Sequence, residues 1–287
     1  MGRVHIEACA AARGVALTAV VDASAETRRR VAADLDTVVF ERTEHLLEAG
    51  VVDAVVVAAP SDQHLALVRL LAAASMPTLC EKPCGVRVEH TEAAVAAAAE
   101  TQTLLQVGYW RRFVPELIEL RDEIRRGPPP ALVACYQWDR DLPRPEFQAH
   151  SGGLAVDMGV HEFDQTMWLT GAGVVDVDAS GSAAGVDPPS AAVTLRMTSG
   201  TLAFVSLGRP YPGPDSCWVE VIGESGHRRV EIMAGDQADR VFKRGIVTQL
   251  EAFAAAAGGG ARVSATGEDA IATLRVAERV TDLLQDA

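Results

Sequence analysis

The sequence predicts an α/β fold in which a doubly wound parallel sheet is followed by a second, α+β domain with a large, mainly antiparallel sheet. Three observations carry this. Over the first hundred residues, short apolar runs alternate with longer helical patterns. Those runs are apolar on both faces, as strands are when helices cover both sides of a parallel sheet. Beyond Gly127-Pro128-Pro129-Pro130 the pattern changes, and β-like runs follow one another with turn signals between them, which indicates antiparallel pairing.

In the first part, strands are expected at Val15 to Val21, Val51 to Ala59, Pro77 to Cys80 and Thr103 to Gly108. Helical patterns lie between them at Ala25 to Leu35, Thr43 to Ala49, His64 to Ala74 and Arg87 to Glu100. The second part reads as strands at Leu132 to Trp138, Val174 to Gly181, Ala191 to Met197, Thr201 to Leu207, Trp218 to Ile222 and Arg228 to Ile232. One helix, Val156 to Leu169, interrupts them, and two more, Ile246 to Ala257 and Glu268 to Leu284, follow. The expected domains are 1–110 and 111–287, with the helix over 268–284 packing back on the first.

A dinucleotide-binding, Rossmann-like sheet should open with a strand and Gly-x-Gly-x-x-Gly. Here Met1-Gly2-Arg3-Val4-His5 leads directly into a helix over Ile6 to Ala12. Gly2 can stand only for the third glycine, so the fold is expected to lack its first strand. The first domain is then incomplete, and the natural chain is expected to start roughly a dozen residues upstream.

Composition narrows the function classes. Hydrophobic residues make up 48% of 287, which excludes a disordered chain. No stretch reaches the roughly 18 consecutive apolar residues of a membrane helix. The net charge of −13, from 39 acidic and 26 basic residues, makes nucleic acid and anionic membranes poor partners. The arginine pairs, Arg111 and Arg112 among them, read mostly as solvated helix faces. Five scattered cysteines and no basic-then-apolar leader fit a reduced, cytoplasmic protein. Cys80 and Cys84 lack the second Cys or His pair that a zinc site needs.

Four places carry candidate chemistry. Asp22 ends an expected strand, where a carboxylate either accepts from ribose hydroxyls or caps the next helix. Ala59-Pro60-Ser61-Asp62-Gln63-His64 puts a helix start at a strand end, suited to a pyrophosphate or ribose. In Glu81-Lys82-Pro83, the lysine either donates to a substrate oxygen or lies in a surface turn. Asp157, His161 and Asp164 stand at i, i+4 and i+7, on one face of a continuous helix. A histidine between two carboxylates would have its charged form stabilised. The trio reads as a structural cluster, an acid–base site or, with one histidine, a poor metal site.

Together these residues resemble the Gfo/Idh/MocA family of oxidoreductases. Gly2-Arg3-Val4-His5 is similar to the end of the family's glycine motif, and Asp22 to its ribose-binding acid. Glu81-Lys82-Pro83 matches its Glu-Lys-Pro, and Lys82, Asp157 and His161 resemble its catalytic Lys, Asp and His. Gly108-Tyr109-Trp110-Arg111-Arg112-Phe113 looks like its inter-domain segment, and Thr266-Gly267-Glu268-Asp269 like its C-terminal signature. The stretches Arg140-Asp141-Leu142-Pro143, Ser151-Gly152-Gly153 and His161-Glu162-Phe163-Asp164 are most like the inositol dehydrogenases within it. The resemblance implies NAD rather than NADP as cofactor, held by Gly2, Arg3, Asp22, Pro60, Ser61, His64, Glu81 and Arg112. It implies hydride transfer from a secondary hydroxyl of a polyol, cyclitol or sugar, with Arg140 and Asp164 holding neighbouring hydroxyls and no metal. It also implies a homo-oligomer, associated through the open face of the second sheet. The alternative is a family member that binds NAD or a sugar without turnover, or an inactive truncated chain.

Overall fold

The computed structural model describes residues 1–35, 37–148, 150–224, 226–261 and 265–286. Its first part alternates helix and strand in the order α1 Gly2–Ala11, β1 Ala19–Val21, α2 Ala25–Asp34, β2 Val38–Phe40, α3 Thr43–Ala49, β3 Val55–Val57, α4 His64–Ala73, β4 Thr78–Cys80, α5 Val88–Glu100 and β5 Leu105–Val107. All the pairings here are parallel, but they form two pieces, β1-β2 and β3-β4-β5. The break falls where the doubly wound order places its first strand, and among the described residues no strand lies between β1 and β3. The expected sheet is thus present in two halves.

Three details differ from the sequence reading. Helix α1 starts at Gly2 rather than Ile6, so the residues resembling the end of a glycine motif already form its first turn. Strand β1 covers only the last three residues of the apolar run from Val15, because it pairs with β2 alone. Strand β2 itself was not foreseen; it is three residues long and half-exposed, too short for an alternation to show.

The second part begins with α6 Pro115–Arg126, also unforeseen, and β6 Leu132–Trp138. The short α7 Pro145–Gln148 and then α8 Val160–Thr170 lead to β7 Val174–Gly181, β8 Ser190–Met197, β9 Leu202–Gly208, β10 Ser216–Gly223 and β11 Gly226–Met233. The chain closes with α9 Ala238–Ala257 and α10 Gly267–Gln285. The six strands take the order β11-β10-β6-β9-β8-β7, antiparallel throughout except for β6 beside β9. Strict alternation puts Val133, Cys135, Val193, Leu195, Val205, Leu207 and Val219 on a buried face. Helices α6 and α8 pack together beneath that sheet, with α8 against β6. Helix α10 lies against α5 as well as α8 and β7, and α9 packs on α1.

One short segment joins these layers. Trp110–Phe113 forms a single 3₁₀ turn after β5, and Arg111, expected on a solvated face, is only 3% exposed. Its guanidinium donates to both Glu162 oxygens at 2.7 Å and to Gln137 Oε1 at 2.8 Å. Arg112 donates to Asp164 (3.0 Å from Nε) and to Asp269 (3.1 Å), the carboxylate that completes the capping box of α10 with Thr266. Two buried guanidiniums therefore tie the end of β5 to β6, α8 and α10. Breaking a buried ion pair from one side leaves an uncompensated charge and costs about 3–5 kcal/mol. Arg111→Leu should lower unfolding stability in urea by that amount, and adding Glu162→Leu should restore much of it. A single variant as stable as the wild type would refute this role.

Candidate active site

The site begins where β4 ends. Glu81 is 3% exposed and accepts from His5 Nε2 (2.6 Å) on α1 and from the Lys82 backbone N–H (3.2 Å). Gly108 leaves room for it: a Cβ there would stand 2.9 Å from Glu81 Oε2. Glu81, expected among the cofactor contacts, is buried and supports the turn that carries Lys82. His64, expected beside it, is also buried, with its two ring nitrogens 2.7 Å from the Pro83 carbonyl and 2.9 Å from the Ala59 carbonyl. It braces the turn from the other side.

Lys82 crosses to the second part of the chain. Its Nζ donates to the Asp157 backbone carbonyl at 2.6 Å and approaches Asp157 Oδ1 at 3.4 Å. The other Asp157 oxygen accepts from Arg209 Nη1 at 2.9 Å. Asp157 does not lie on a continuous α-helix, because Ala155–Gly159 is a π-helical turn and α8 starts only at Val160. The wider turn breaks the i, i+4, i+7 face assumed from the sequence. Asp157 is drawn to Lys82 and Arg209, and Asp164 to Arg112. Asp164, expected to hold a substrate hydroxyl, and Arg112, expected to hold cofactor, therefore satisfy each other; both are nearly buried.

His161 packs at steep angles against the Tyr109 and Trp110 rings, each 6.5 Å from it centre to centre. The expectation of a charged imidazole flanked by carboxylates is reversed. Burial pushes its proton affinity well below the usual histidine range, and the Lys82 and Arg111 cations push it the same way. A neutral imidazole at neutral pH is able to take a proton.

The remaining expected residues scatter around this centre. Gly2 and Arg3 are exposed in the first turn of α1, Pro60 is exposed, and Ser61 is buried in the 3₁₀ turn after β3. Of the two readings of Asp22, the cap is filled otherwise, because Ser24 caps α2. Asp22 Oδ1 accepts the Ser24 N–H at 2.8 Å, and Oδ2 has no protein partner among the described residues. A carboxylate with a free oxygen at the end of a parallel strand suits ribose hydroxyls. Arg140 is exposed past β6, and its contact is a backbone one, N–H to Asp215 at 2.7 Å. Among the described residues, no three His, Cys, Asp or Glu are grouped to hold a metal, and no helix is long and apolar enough to cross a membrane.

Residues 1–109 match the family described as oxidoreductase, NAD-binding Rossmann fold, and residues 116–229 match the GFO/IDH/MocA C-terminal domain. The rhizopine catabolism protein MocA of Rhizobium meliloti is 41% identical over 292 residues, spanning 99% of this chain and 92% of that protein. The chain belongs to the Gfo/Idh/MocA oxidoreductase family. Its first part is accordingly an NAD-binding domain. Inositol 2-dehydrogenase of Rhizobium meliloti is 29% identical over 97% of this chain and 92% of that one. The crystal structure of a putative myo-inositol dehydrogenase from Sinorhizobium meliloti superposes with a TM-score of 0.90 at 27% identity, covering 99% of this chain and 94% of that one.

In this family member several site residues escaped the sequence reading. Arg209 follows a strand within Gly208-Arg209-Pro210, with no periodicity to single it out. Asp139, one residue before the expected Arg140, is a half-buried carboxylate held by Gln137 Nε2 (3.2 Å), itself held by Arg111. Burial pushes the Asp139 carboxyl up; the Gln137 bond opposes this, and Asp215 and Asp157 add to it. The signal available was its place at the end of a strand in the second sheet. For His161, the imidazole resonances in an NMR titration should move with a midpoint below pH 6.5, because the folded protein disfavours the cation. A midpoint at or above 6.5 would mean that burial and the Lys82 and Arg111 cations do not govern this ring.

Proposed function

We propose that this oxidoreductase transfers hydride from a secondary hydroxyl of an inositol-like cyclitol, or a related sugar, to NAD. The observation that carries the reading is the placing of His161, packed edge-on against two aromatic rings in a setting whose burial and Lys82 cation disfavour its charged form, with Lys82 itself held by Asp157. Bound nicotinamide would supply the hydride acceptor, and the free Asp22 oxygen with the exposed first turn of α1 fits its adenosine and phosphate end. The rest is the work of side chains. His161 takes the hydroxyl proton, and Lys82 donates a hydrogen bond to the same oxygen, which steadies it as it turns into a carbonyl. Asp157 anchors Lys82 by its carbonyl and carboxylate. Asp139 and Arg140 stand at the end of β6, where they would meet neighbouring hydroxyls. The likeness to proteins named for inositol 2-dehydrogenase and for rhizopine catabolism supports a cyclitol as substrate.

The test is NADH formation with myo-inositol, scyllo-inositol, rhizopine and simple aldoses, comparing the wild type with Lys82→Ala and His161→Ala. Losing a placed acid–base group lowers the rate about 100- to 10,000-fold. Either variant above half the wild-type rate would refute the assignment. The alternative is a family member that binds NAD or a sugar without turnover. A thermal shift with NAD and no NADH from any of these polyols would establish that alternative.

We also propose that the chain self-associates through the open face of its six-stranded sheet. Tyr136 stacks on Trp218 at 5.1 Å there, and Leu202, Phe204 and Ile222 are 47%, 43% and 42% exposed. Ile222, Leu132 and Leu202 are cross-strand neighbours on this face, and exposed apolar neighbours of this kind mark an interaction surface. Phe204→Glu should halve or quarter the mass seen in sedimentation while leaving the fold intact. A wild-type chain that sediments as a monomer would end this proposal.

A further inference from the structure

We propose that Arg209 is a positioning residue, whose pull on Asp157 keeps an N–H of Lys82 available to a substrate oxygen. The proposal rests on the dehydrogenase reading of Lys82 and His161. Arg209 directly follows β9 and is 4% exposed. Its Nη1 donates to Asp157 Oδ2 at 2.9 Å and its Nη2 to Asp187 Oδ1 at 2.6 Å, while its backbone N–H donates to the Pro189 carbonyl at 2.8 Å. A guanidinium fork matches two carboxylates in a way that a lysine point charge does not.

The two cations share Asp157 unequally. Arg209 holds its oxygen at 2.9 Å, whereas Lys82 stands 3.4 Å from the other and bonds tightly only to the backbone carbonyl, at 2.6 Å. An ammonium has three N–H donors. With one on the carbonyl and one loosely on the carboxylate, a third is left for a ligand. The terminal torsion of an aspartate is broad. Without Arg209, no other side chain among the described residues holds the carboxylate back, and it would close on Lys82 and occupy its donors.

Arg209 also ties the site to a more distant segment. Asp187 lies in the connection from β7 to β8 and also accepts from Gln148 at the end of α7. Next to it, the Val186 carbonyl accepts the Leu154 N–H at 3.1 Å and passes so close to Gly153 that no Cβ fits there. The Gly185 N–H donates to Leu284 O at 3.0 Å near the end of α10. Arg209 is thus the one side chain hydrogen-bonded, among the described residues, to both that connection and Asp157.

The experiment is a double-mutant cycle on the full chain, with NAD and the polyol that gives the highest rate. Arg209→Gln should lower kcat about 10- to 100-fold, the scale of a misplaced catalytic group, with KM for NAD changed less than about twofold. Arg209→Lys, which keeps the charge but not the fork, should fall between the two. In an Asp157→Asn background, Arg209→Gln should matter less than about twofold, because its effect runs through the carboxylate. An equal loss in both backgrounds, or no loss in the single variant, overturns the proposal. Lys82→Ala and His161→Ala measured alongside separate the two ideas: wild-type rates there refute the dehydrogenase reading itself. A crystal structure of Arg209→Gln needs no turnover and decides in any case. The Asp157 carboxylate should be turned onto Lys82 Nζ, and an unmoved carboxylate would end the proposal.

Discussion

Burial of two arginines against two carboxylates is the constraint on which the rest of this structure depends. Arg111 with Glu162 and Arg112 with Asp164 are charges taken out of water, and neither member of a pair is tolerable there without the other. This sets the register of residues 109–112 against residues 161–164. A shift by one residue would leave both guanidiniums facing the wrong neighbours. Because the register is set, the Tyr109 and Trp110 rings both come to rest against His161. A polar clamp below the surface thus brings two aromatic rings against His161, the proposed base.

The same clamp shapes the electrostatics of the cleft. Arg111 adds its charge to that of Lys82 around a half-buried imidazole, and together with burial they favour the neutral ring. Lys82 stays beside it because Asp157 accepts its bonds, and the turn that carries Lys82 is supported on both sides by His5–Glu81 and His64. The proposed hydride transfer asks for a neutral acceptor next to a cationic donor. That combination is costly unless nearby carboxylates offset the cations without reaching the ring. Glu162, Asp164 and Asp157 do so by facing the arginines and the lysine.

Much of the fold was legible because its signals are local. Apolar runs at Val51 to Ala59 and Pro77 to Cys80 contain β3 and β4, and the alternation over Leu132 to Trp138 matches β6 residue for residue. Two elements were missed: β2 is only three residues long, and α6 went unread although Leu117, Leu120 and Ile124, at i, i+3 and i+7 after Pro115, form a local helical stripe. For the site, the Glu-Lys-Pro turn and the Asp157 and His161 pair were legible as a motif. Their partners were not. Arg209 lies 52 residues from Asp157 and Glu162 lies 51 from Arg111, separations that no helix or strand period relates.

The sequence by itself determined the order of strands and helices, the change from parallel to antiparallel sheet, and which residue types could carry acid–base and ribose-binding chemistry. These follow from side-chain periodicity and local backbone preference, which act over a few residues. Only the tertiary structure decided how those residues are used. A π-helical turn at Ala155–Gly159 took Asp157 off the face it would share with His161 and Asp164 on a regular helix. Burial then set each charge to the nearest opposite one: Asp164 to Arg112, Glu81 to His5, Asp157 to Lys82 and Arg209. The physical reason is that Coulomb attraction in a dry interior acts between groups close in space, whatever their distance along the chain.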